Sequence, residues 1–488
     1  MKLDLLTKAL GEVTVHGTTA REIAGVVCDS RQVRPGFLFA AIPGSSRDGV
    51  QFVDDALARG AVAVLSAQPA PVHKEITWIQ TSDVRRALAL AACCYHGDPS
   101  ARLTMVGVTG TNGKTTTAYL AARILEEARR APGLLTTVEY RIGDRTIPAG
   151  RTTPEAPVLQ SFLAQMVSVG CGSAVMEVSS HALDQKRTTG IDFDVAVFTN
   201  LSRDHLDYHQ TMDNYFAAKS LLFEDLGCAR KTAHAAIYCE DAWGQKLLAR
   251  VNPAARVLTY GMTPEAMVRA ENLLLHAAGC TFRAVTPWGA APVALRLQGR
   301  YNVCNALAAM AACGALGVDV ERMATALAGM TVVPGRLEEI STRRGFQVFV
   351  DYAHTDDALQ KVLSTVRAIT RGKLLVVFGC GGDRDTTKRE PMGRVAATLA
   401  DYTIITSDNP RRENPSAIME QIFRGFDRPN ACEMIEDRAA AIRRALQLAA
   451  AGDLVLVAGK GHETFQELAT TMVPFDDRVV VRRELERL

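Results

Sequence analysis

The sequence has no excess of either charge: 55 lysines and arginines stand against 53 aspartates and glutamates, for a formal net charge of +2. That balance excludes the electrostatic footprint of a nucleic-acid binder and leaves no acidic tail. Long hydrophobic runs are also missing, since no charge-free stretch of eighteen apolar residues occurs and no bilayer-spanning helix is expected. Met1 to Lys8 break their apolar run with charges too early for a signal peptide. The eleven cysteines lack paired spacing. Cys93 and Cys94 are adjacent, and others (Cys28, Cys171, Cys228, Cys304, Cys380) sit mostly in apolar surroundings. They read as reduced core residues, which argues against a disulfide framework or zinc site and places the chain in the cytoplasm. Sequence repeats and low-complexity tracts are absent as well.

What is present is a globular α/β pattern. At 488 residues the chain exceeds one core, and about three domains are expected. Residues 1–98 carry short apolar runs at Gly36–Ile42 and Ala61–Leu65 with a helical stretch near Phe52–Arg59, marking a small α/β domain. Gly97-Asp-Pro-Ser100 has turn chemistry and reads as a linker. Over 99–332, strand-like runs at Leu103–Val108, Ala174–Val178, Val195–Thr199, Ala235–Tyr238 and Val257–Tyr260 alternate with helical patterns at Lys114–Arg129, Ala156–Ser168 and Met212–Leu226. Such alternation predicts a doubly wound parallel sheet. Ala291–Ala328 reads as one strand and two alanine-rich helices. Over 333–488 the alternation resumes, with strands at Gln347–Asp351, Leu374–Phe378, Tyr402–Thr406 and Leu454–Ala458, giving a Rossmann-like unit.

One loop carries direct chemistry. Gly110-Thr111-Asn112-Gly113-Lys114-Thr115-Thr116 follows a hydrophobic strand and opens a helix. Glycines let backbone N–H groups turn toward phosphate oxygens, the lysine adds a point charge, a hydroxyl can join a magnesium shell, and the helix start adds its dipole. The usual pattern has glycine six residues before the lysine, where Val108 stands. Two further polar loops follow predicted strands: Glu177-Val-Ser179-Ser-His181-Ala-Leu-Asp184-Gln185-Lys-Arg187 and Asn200-Leu-Ser-Arg203-Asp204-His205-Leu-Asp207-Tyr-His209. Strand carboxyl ends are where parallel sheets bind ligands, so both should lie beside the phosphate loop. Glu177 and His205 are candidate magnesium ligands, although imidazole is unusual for that ion and a salt-bridged loop surface is the alternative. Lys219, by pattern alone, reads as a solvated helix lysine.

Together these motifs resemble the Mur ligase family, ATP-dependent enzymes of peptidoglycan precursor synthesis. The loop lacking glycine at position 108 is that family's own form. The resemblance continues through Gly299-Arg-Tyr-Asn302-Val-Cys-Asn305, Pro334-Gly-Arg336 and Asp351-Tyr-Ala-His354, and an N-terminal signature is visible in Asp29-Ser30-Arg31, Pro35-Gly36, Phe39 and Asp48-Gly49. It implies a three-domain α/β fold with a uridine-binding domain, a central ATP-binding domain and a C-terminal domain for the incoming amino acid. It also implies ATP as co-substrate and two magnesium ions. Lys114, Thr115 and the loop would hold ATP, with Asn302, Asn305, Arg336, Asp351 and His354 at the nucleotide. Thr115, Glu177, His205 and Lys219, the last as a carbamate, would serve magnesium. Ser30 would meet the uridine end of the other substrate, UDP-N-acetylmuramoyl-L-alanyl-D-glutamate, with Thr152, Thr153, Ser179, Gln185 and Arg187 at its muramyl peptide.

Asp408-Asn409-Pro410-Arg411 resembles the signature of members adding meso-diaminopimelate, whose second carboxylate an arginine fork can hold bidentately. Arg384, Gly459 and Glu463 would complete that pocket. A monomer is expected, with no nucleic-acid or membrane partner. Ile237-Tyr-Cys-Glu240-Asp241, Asp356 and Asn414 depart from the family's common residues and are expected to lie away from the chemistry. Competing readings are a folylpolyglutamate synthetase, a lysine-adding relative lacking arginine at 411, and a non-catalytic nucleotide-binding scaffold.

Overall fold

A computed structural model describes residues 1–488 apart from 45–47, 72–75, 229, 277 and 428–430. Among the described residues, sheets of five, eleven and six strands follow one another along the chain, with a two-stranded hairpin near the C-terminus. The first sheet runs in the order Thr14–His16, Thr77–Gln80, Ala63–Ser66, Phe37–Ala40, Gly25–Val27, parallel except at its first edge. Helix Val84–Tyr95, capped by Asp83 accepting from the Arg86 N–H, buries Val84, Ala87, Leu88 and Ala91 against Leu38, Ala63 and Ile79.

In the central sheet, Thr104–Thr109 lies between Ser173–Glu177 and Val195–Phe198, and all three are parallel. Chain order reverses at this strand, so three strand ends open side by side at the switch point. Helix Lys114–Glu127 covers one face with Arg300–Ala315, an alanine-rich helix buried for most of its length.

Antiparallel wings extend this sheet beyond its parallel core. Glu139–Ile142 and Arg145–Pro148 form a hairpin at one edge; Val268–His276, Gly279–Thr286 and Gly289–Leu295 form a meander at the other. The sequence reading contains only the last of these strands. The reason is physical: Val268–His276 loses its period-2 pattern at an irregularity between Glu271 and Leu274, where Asn272 has φ +55°, and Leu274 and Leu275 are exposed.

The third sheet has the order Glu338–Ile340, Gln347–Asp351, Leu454–Ala458, Leu374–Phe378, Tyr402–Ile405, Cys432–Met434, parallel apart from the first strand. Arg438, fully buried, donates Nε and Nη2 to Asp477 at 2.8 and 2.7 Å and Nη2 also to the Ala458 carbonyl at 2.9 Å. Removing one member of such a pair leaves a buried charge. Asp477→Ala is therefore expected to destabilise the C-terminal unit by about 3–5 kcal/mol, measured by denaturant unfolding; a change within about 0.5 kcal/mol would contradict the pair's role.

All eleven cysteines are free, and Cys228 is exposed rather than in a core. No described helix is long and apolar enough to cross a membrane.

Candidate active site

The phosphate loop turns on two glycines. Gly110 has φ +142°, and a Cβ there would lie 1.9 Å from Thr199 Oγ1; Gly113 has φ +89°, with its Cβ position 2.3 Å from Asn305 Oδ1. Gly113 caps the following helix without any side-chain acceptor, leaving first-turn N–H groups for an anion. Val108 is fully buried in the strand, paired with Glu177 on one side and Val197 on the other. The loop is thus shortened by a residue that belongs to the sheet. Lys114 Nζ donates to the Gly110 and Thr111 carbonyls at 3.0 and 2.8 Å, and burial lowers its pKa.

Strand register brings Glu177 directly beside this loop. Its carboxylate, 1% exposed, accepts from Thr137 N–H at 2.9 Å and Thr137 Oγ1 at 3.2 Å. Thr137 Oγ1 also pairs with Thr152 Oγ1 at 3.0 Å, accepting there because its one proton goes to Glu177, and Thr153 Oγ1 donates to the Glu177 carbonyl at 2.9 Å while accepting from Ser179 N–H. Arg187 donates to the Thr153 carbonyl at 2.9 Å and to Gln185 Oε1 at 2.6 Å, and pairs with Glu155. Thr152, Thr153, Ser179, Gln185 and Arg187 therefore form one connected rim next to Glu177.

Lys219 overturns its helix-surface reading. It is 2% exposed, its Nζ donates to the Gly110 carbonyl at 2.8 Å and lies 4.6 Å from the Tyr215 ring centre. Burial, reinforced by the Lys114 charge, pushes its pKa well below the ordinary lysine value. Both lysines share one carbonyl acceptor.

His205 sits in the left-handed region at φ +54°, its ring 3.5 Å from Asp204 Oδ2, and burial lowers its pKa to about 3. Asp204 is buried, and His354 of the C-terminal unit approaches the same oxygen at 3.8 Å. Burial would raise the Asp204 pKa, but the neighbouring His205 and His354 hold it well below the usual carboxylate value.

The C-terminal unit closes on the loop through further contacts. Arg336 Nη2 donates to Thr115 Oγ1 at 2.8 Å, and Asp357 accepts from Asn112 Nδ2 at 2.7 Å and Ser202 Oγ at 3.0 Å. Asp351 is fixed by the Leu337 and Ala353 N–H groups, and burial raises its pKa. Asn305 Nδ2 donates to Asn302 Oδ1 at 3.0 Å beneath Gly113.

These groups border a cleft of about 820 Å³ between the central and C-terminal units. Its walls include the loop, Glu177, Lys219, Asn305, Arg336 and His354, an ample volume for a nucleotide. Glu240 and Asp241 also line it, and Asp356 pairs with Arg203 at 3.1 Å across the same gap. Glu240 and Asp241 therefore border the site instead of lying away from it, while Asp356 is outside the cleft walls. Ser30 is buried in the N-terminal unit, outside these walls, where Asp29 caps its turn.

A second cluster occupies the carboxyl ends of the C-terminal sheet, also outside the cleft walls. Asn409 Nδ2 donates to Glu463 Oε2 at 2.9 Å, and Arg411, at φ +51°, donates Nε to Glu467 Oε2 and Nη1 to the Gly382 carbonyl, both at 2.8 Å. The Asp408 carboxylate packs against Gly459, whose Cβ position would be 2.7 Å from Oδ2, while Arg384 is exposed beside Asp383. Thr137, Asp204, Tyr215, Asp357, Lys460 and Glu467 are partners that sequence reasoning missed. Of these, Asp204, Tyr215 and Lys460 stood within or beside singled-out motifs and were the most readable.

For a metal, the described residues offer no group of three or more His, Cys, Asp or Glu side chains. Magnesium needs no such cage: one or two protein oxygens suffice when phosphates and water complete the shell. The Thr115 hydroxyl and Glu177 carboxylate, both buried at the cleft wall, fit that requirement.

Comparison with known proteins supplies the remaining information. The model of the Mur ligase family, catalytic domain, matches residues 22–97; that of the Mur ligase middle domain, 108–313; that of the Mur ligase, glutamate ligase domain, 335–461. The UDP-N-acetylmuramoyl-L-alanyl-D-glutamate--2,6-diaminopimelate ligase of Geobacter metallireducens is 43% identical over 100% of this chain and 99% of its own. That of Geobacillus kaustophilus is 44% identical over 99% of both. A solved structure bearing the same enzyme name superposes with a TM-score of 0.68 at 34% identity, covering 98% of each chain. Matched over all three sheets and along its whole length, the chain belongs to the Mur ligase family.

Proposed function

We propose that this ligase joins meso-diaminopimelate to UDP-N-acetylmuramoyl-L-alanyl-D-glutamate, using ATP and an acyl-phosphate intermediate. The observation that carries the reading is the pairing of two sites: a phosphate loop flanked by Glu177 and Lys219, and a separate cluster holding both a carboxylate reader, Arg411, and an ammonium reader, Glu463. An amino acid with a second zwitterionic end suits that cluster; lysine has no carboxylate there for Arg411. Residues 1–98 with Ser30 take the uridine end, 99–332 hold ATP, and 333–488 bring the amino acid. We place the enzyme in the cytoplasm, where ATP and nucleotide-linked precursors are found, acting as a monomer.

In the first step the D-glutamate side-chain carboxylate attacks the γ-phosphorus, the bond to the β-phosphate oxygen breaks, and ADP leaves. Two anions must approach, so repulsion is the main barrier. Lys114 turns from its own loop carbonyls to the phosphates, and Arg336 exchanges Thr115 for them. Asn302, Asn305, Asp351 and His354 orient the nucleotide; Thr152, Thr153, Ser179, Gln185 and Arg187 orient the peptide. Two magnesium ions, held by Thr115, Glu177, His205 and carbamylated Lys219, would neutralise phosphate charge. The Lys219 amine, kept neutral by its surroundings, is fit to attack carbon dioxide and lose a proton to give that carbamate. In the second step the diaminopimelate amine attacks the acyl carbon and phosphate departs. Arg384, Asp408, Asn409, Arg411, Gly459 and Glu463 position the amine, and closure of the C-terminal unit excludes water that would hydrolyse the intermediate.

Borohydride trapping tests the intermediate. With UDP-muramyl dipeptide and ATP but no diaminopimelate, the activated glutamate carboxyl should be reduced to an alcohol; recovery of glutamate alone, with enzyme active in the full reaction, would contradict it. The loop has its own test. Gly113→Ala places a Cβ 2.3 Å from Asn305 Oδ1 at φ +89°. Left-handed backbone costs alanine about 1–2 kcal/mol, so the ATP KM should rise about tenfold. The diaminopimelate KM should stay within about twofold; equal rises would show a general disturbance.

A further inference from the structure

Beneath the amino-acid cluster lies a lysine with no role so far. Lys460, on the loop after the Leu454–Ala458 strand, is 0% exposed, and its Nζ donates to Asn409 Oδ1 at 3.0 Å and Glu463 Oε2 at 2.8 Å. Asn409 Oδ1 also accepts from the Glu467 N–H at 3.0 Å, which leaves Asn409 Nδ2 to donate to Glu463 Oε2. The side chain of Glu467 in turn holds Arg411. One continuous chain of hydrogen bonds therefore links the cationic and anionic readers, with Lys460 at the fork.

We propose that Lys460 is a positioning residue that sets amino-acid specificity by fixing the Asn409 amide and the Glu463 carboxylate at a set distance from Arg411. The proposal rests on the amino-acid pocket assigned under Proposed function. An amide can flip, exchanging its donor for its acceptor at almost no steric cost. A buried ammonium and a backbone N–H on the same oxygen forbid that flip here, because a flipped Nδ2 would face two donors. Glu463 is thereby held with one oxygen doubly engaged and its other oxygen Oε1 left for an incoming ammonium. The spacing between Glu463 Oε1 and the Arg411 fork then matches one separation of ammonium and carboxylate, and amino acids carrying those groups at another spacing are rejected. Lys460 itself touches no substrate; it acts through its two partners.

The test uses the full-length enzyme with UDP-muramyl dipeptide, ATP and either meso- or L,L-diaminopimelate. Lys460→Met, close in length and apolar, should raise the meso-diaminopimelate KM about 10- to 100-fold, since hydrogen bonds to charged groups are lost. The ATP KM and the borohydride-trapped acyl phosphate should be unchanged, and discrimination against the L,L isomer should narrow. Because Lys460 acts through Asn409 and Glu463, adding Lys460→Met to an Asn409→Ala/Glu463→Gln double variant should make it no worse. Multiplying effects, or equal rises in the two KM values, would overturn the positioning role, as would an unchanged diaminopimelate KM. Should Lys460→Met fail to fold, Asn409→Asp keeps the lysine partnered but removes the donor to Glu463. It should raise the diaminopimelate KM at least about tenfold, and an unmoved KM overturns the proposal. Wild-type enzyme that trapped the acyl phosphate but never used diaminopimelate would overturn the functional reading itself, a result distinct from each of these.

Discussion

Lys219→Ala is expected to lower turnover by about 100- to 1,000-fold, and a short carboxylic acid such as propionate to restore part of it. The side chain is buried between Tyr215 and the phosphate loop, and it shares the Gly110 carbonyl with Lys114. Two ammonium groups on one acceptor in a poorly solvated pocket repel each other. Burial lowers both pKa values, but the Lys114 charge adds to the shift of Lys219 whereas Glu177 and Asp204 oppose that of Lys114, so Lys219 is the one to shed its proton. In the proposed mechanism a neutral amine there would capture carbon dioxide, turning a repulsive cation into an anion in the cleft that Glu177 and Thr115 also line. Alanine leaves a space that a small carboxylate can fill, whereas added bicarbonate has no amine to react with. Activity near wild type would refute the carbamate, and loss with no rescue by any small acid would reduce Lys219 to a packing role.

Arg411→Ala should act on the other substrate. Truncating one partner of a buried charge-assisted contact costs about 2–4 kcal/mol, so the diaminopimelate KM should rise roughly 30- to 1,000-fold. The ATP KM should barely move, because the Arg411 fork lies outside the nucleotide cleft. Its guanidinium is already oriented: Glu467 holds Nε, the Gly382 carbonyl holds Nη1, and the left-handed backbone at φ +51° aims the side chain. Lysine could not reproduce that planar fork, so Arg411→Lys should rescue little. Equal changes in both KM values would remove the carboxylate role.

Much of this architecture could be read from residues alone, and the failures share a cause. Leu374–Phe378 and Leu454–Ala458 are continuous apolar runs buried on both faces, as are Val348, Phe349 and Val350 within Gln347–Asp351, and the reading placed all three strands at the residues where the structure has them. Helix Ala156–Ser168 was legible to the residue, with Pro157 in its first turn. Of the antiparallel wings only Gly289–Leu295 was legible. Arg145–Pro148 alternates too briefly, and Val268–His276 is bent by its irregularity.

At the site, residues joined by local spacing were found, such as the loop, while those joined only by folding were not. Asp357 reaches Asn112 across 245 residues, Lys460 reaches Asn409 across 51, and no pattern along the chain encodes such meetings. Lys219 shows the same limit: helix periodicity cannot tell a solvated lysine from one buried under a phosphate loop. The family resemblance supplied that position, and the fold supplies its physical environment.

The most direct test is product formation with UDP-N-acetylmuramoyl-L-alanyl-D-glutamate, ATP and magnesium, offered meso-diaminopimelate or L-lysine in parallel. Phosphate release and a tripeptide product identified by mass should appear with meso-diaminopimelate and be nearly absent with lysine. Equal or greater turnover with lysine, or no amide product with either amino acid, would contradict the account.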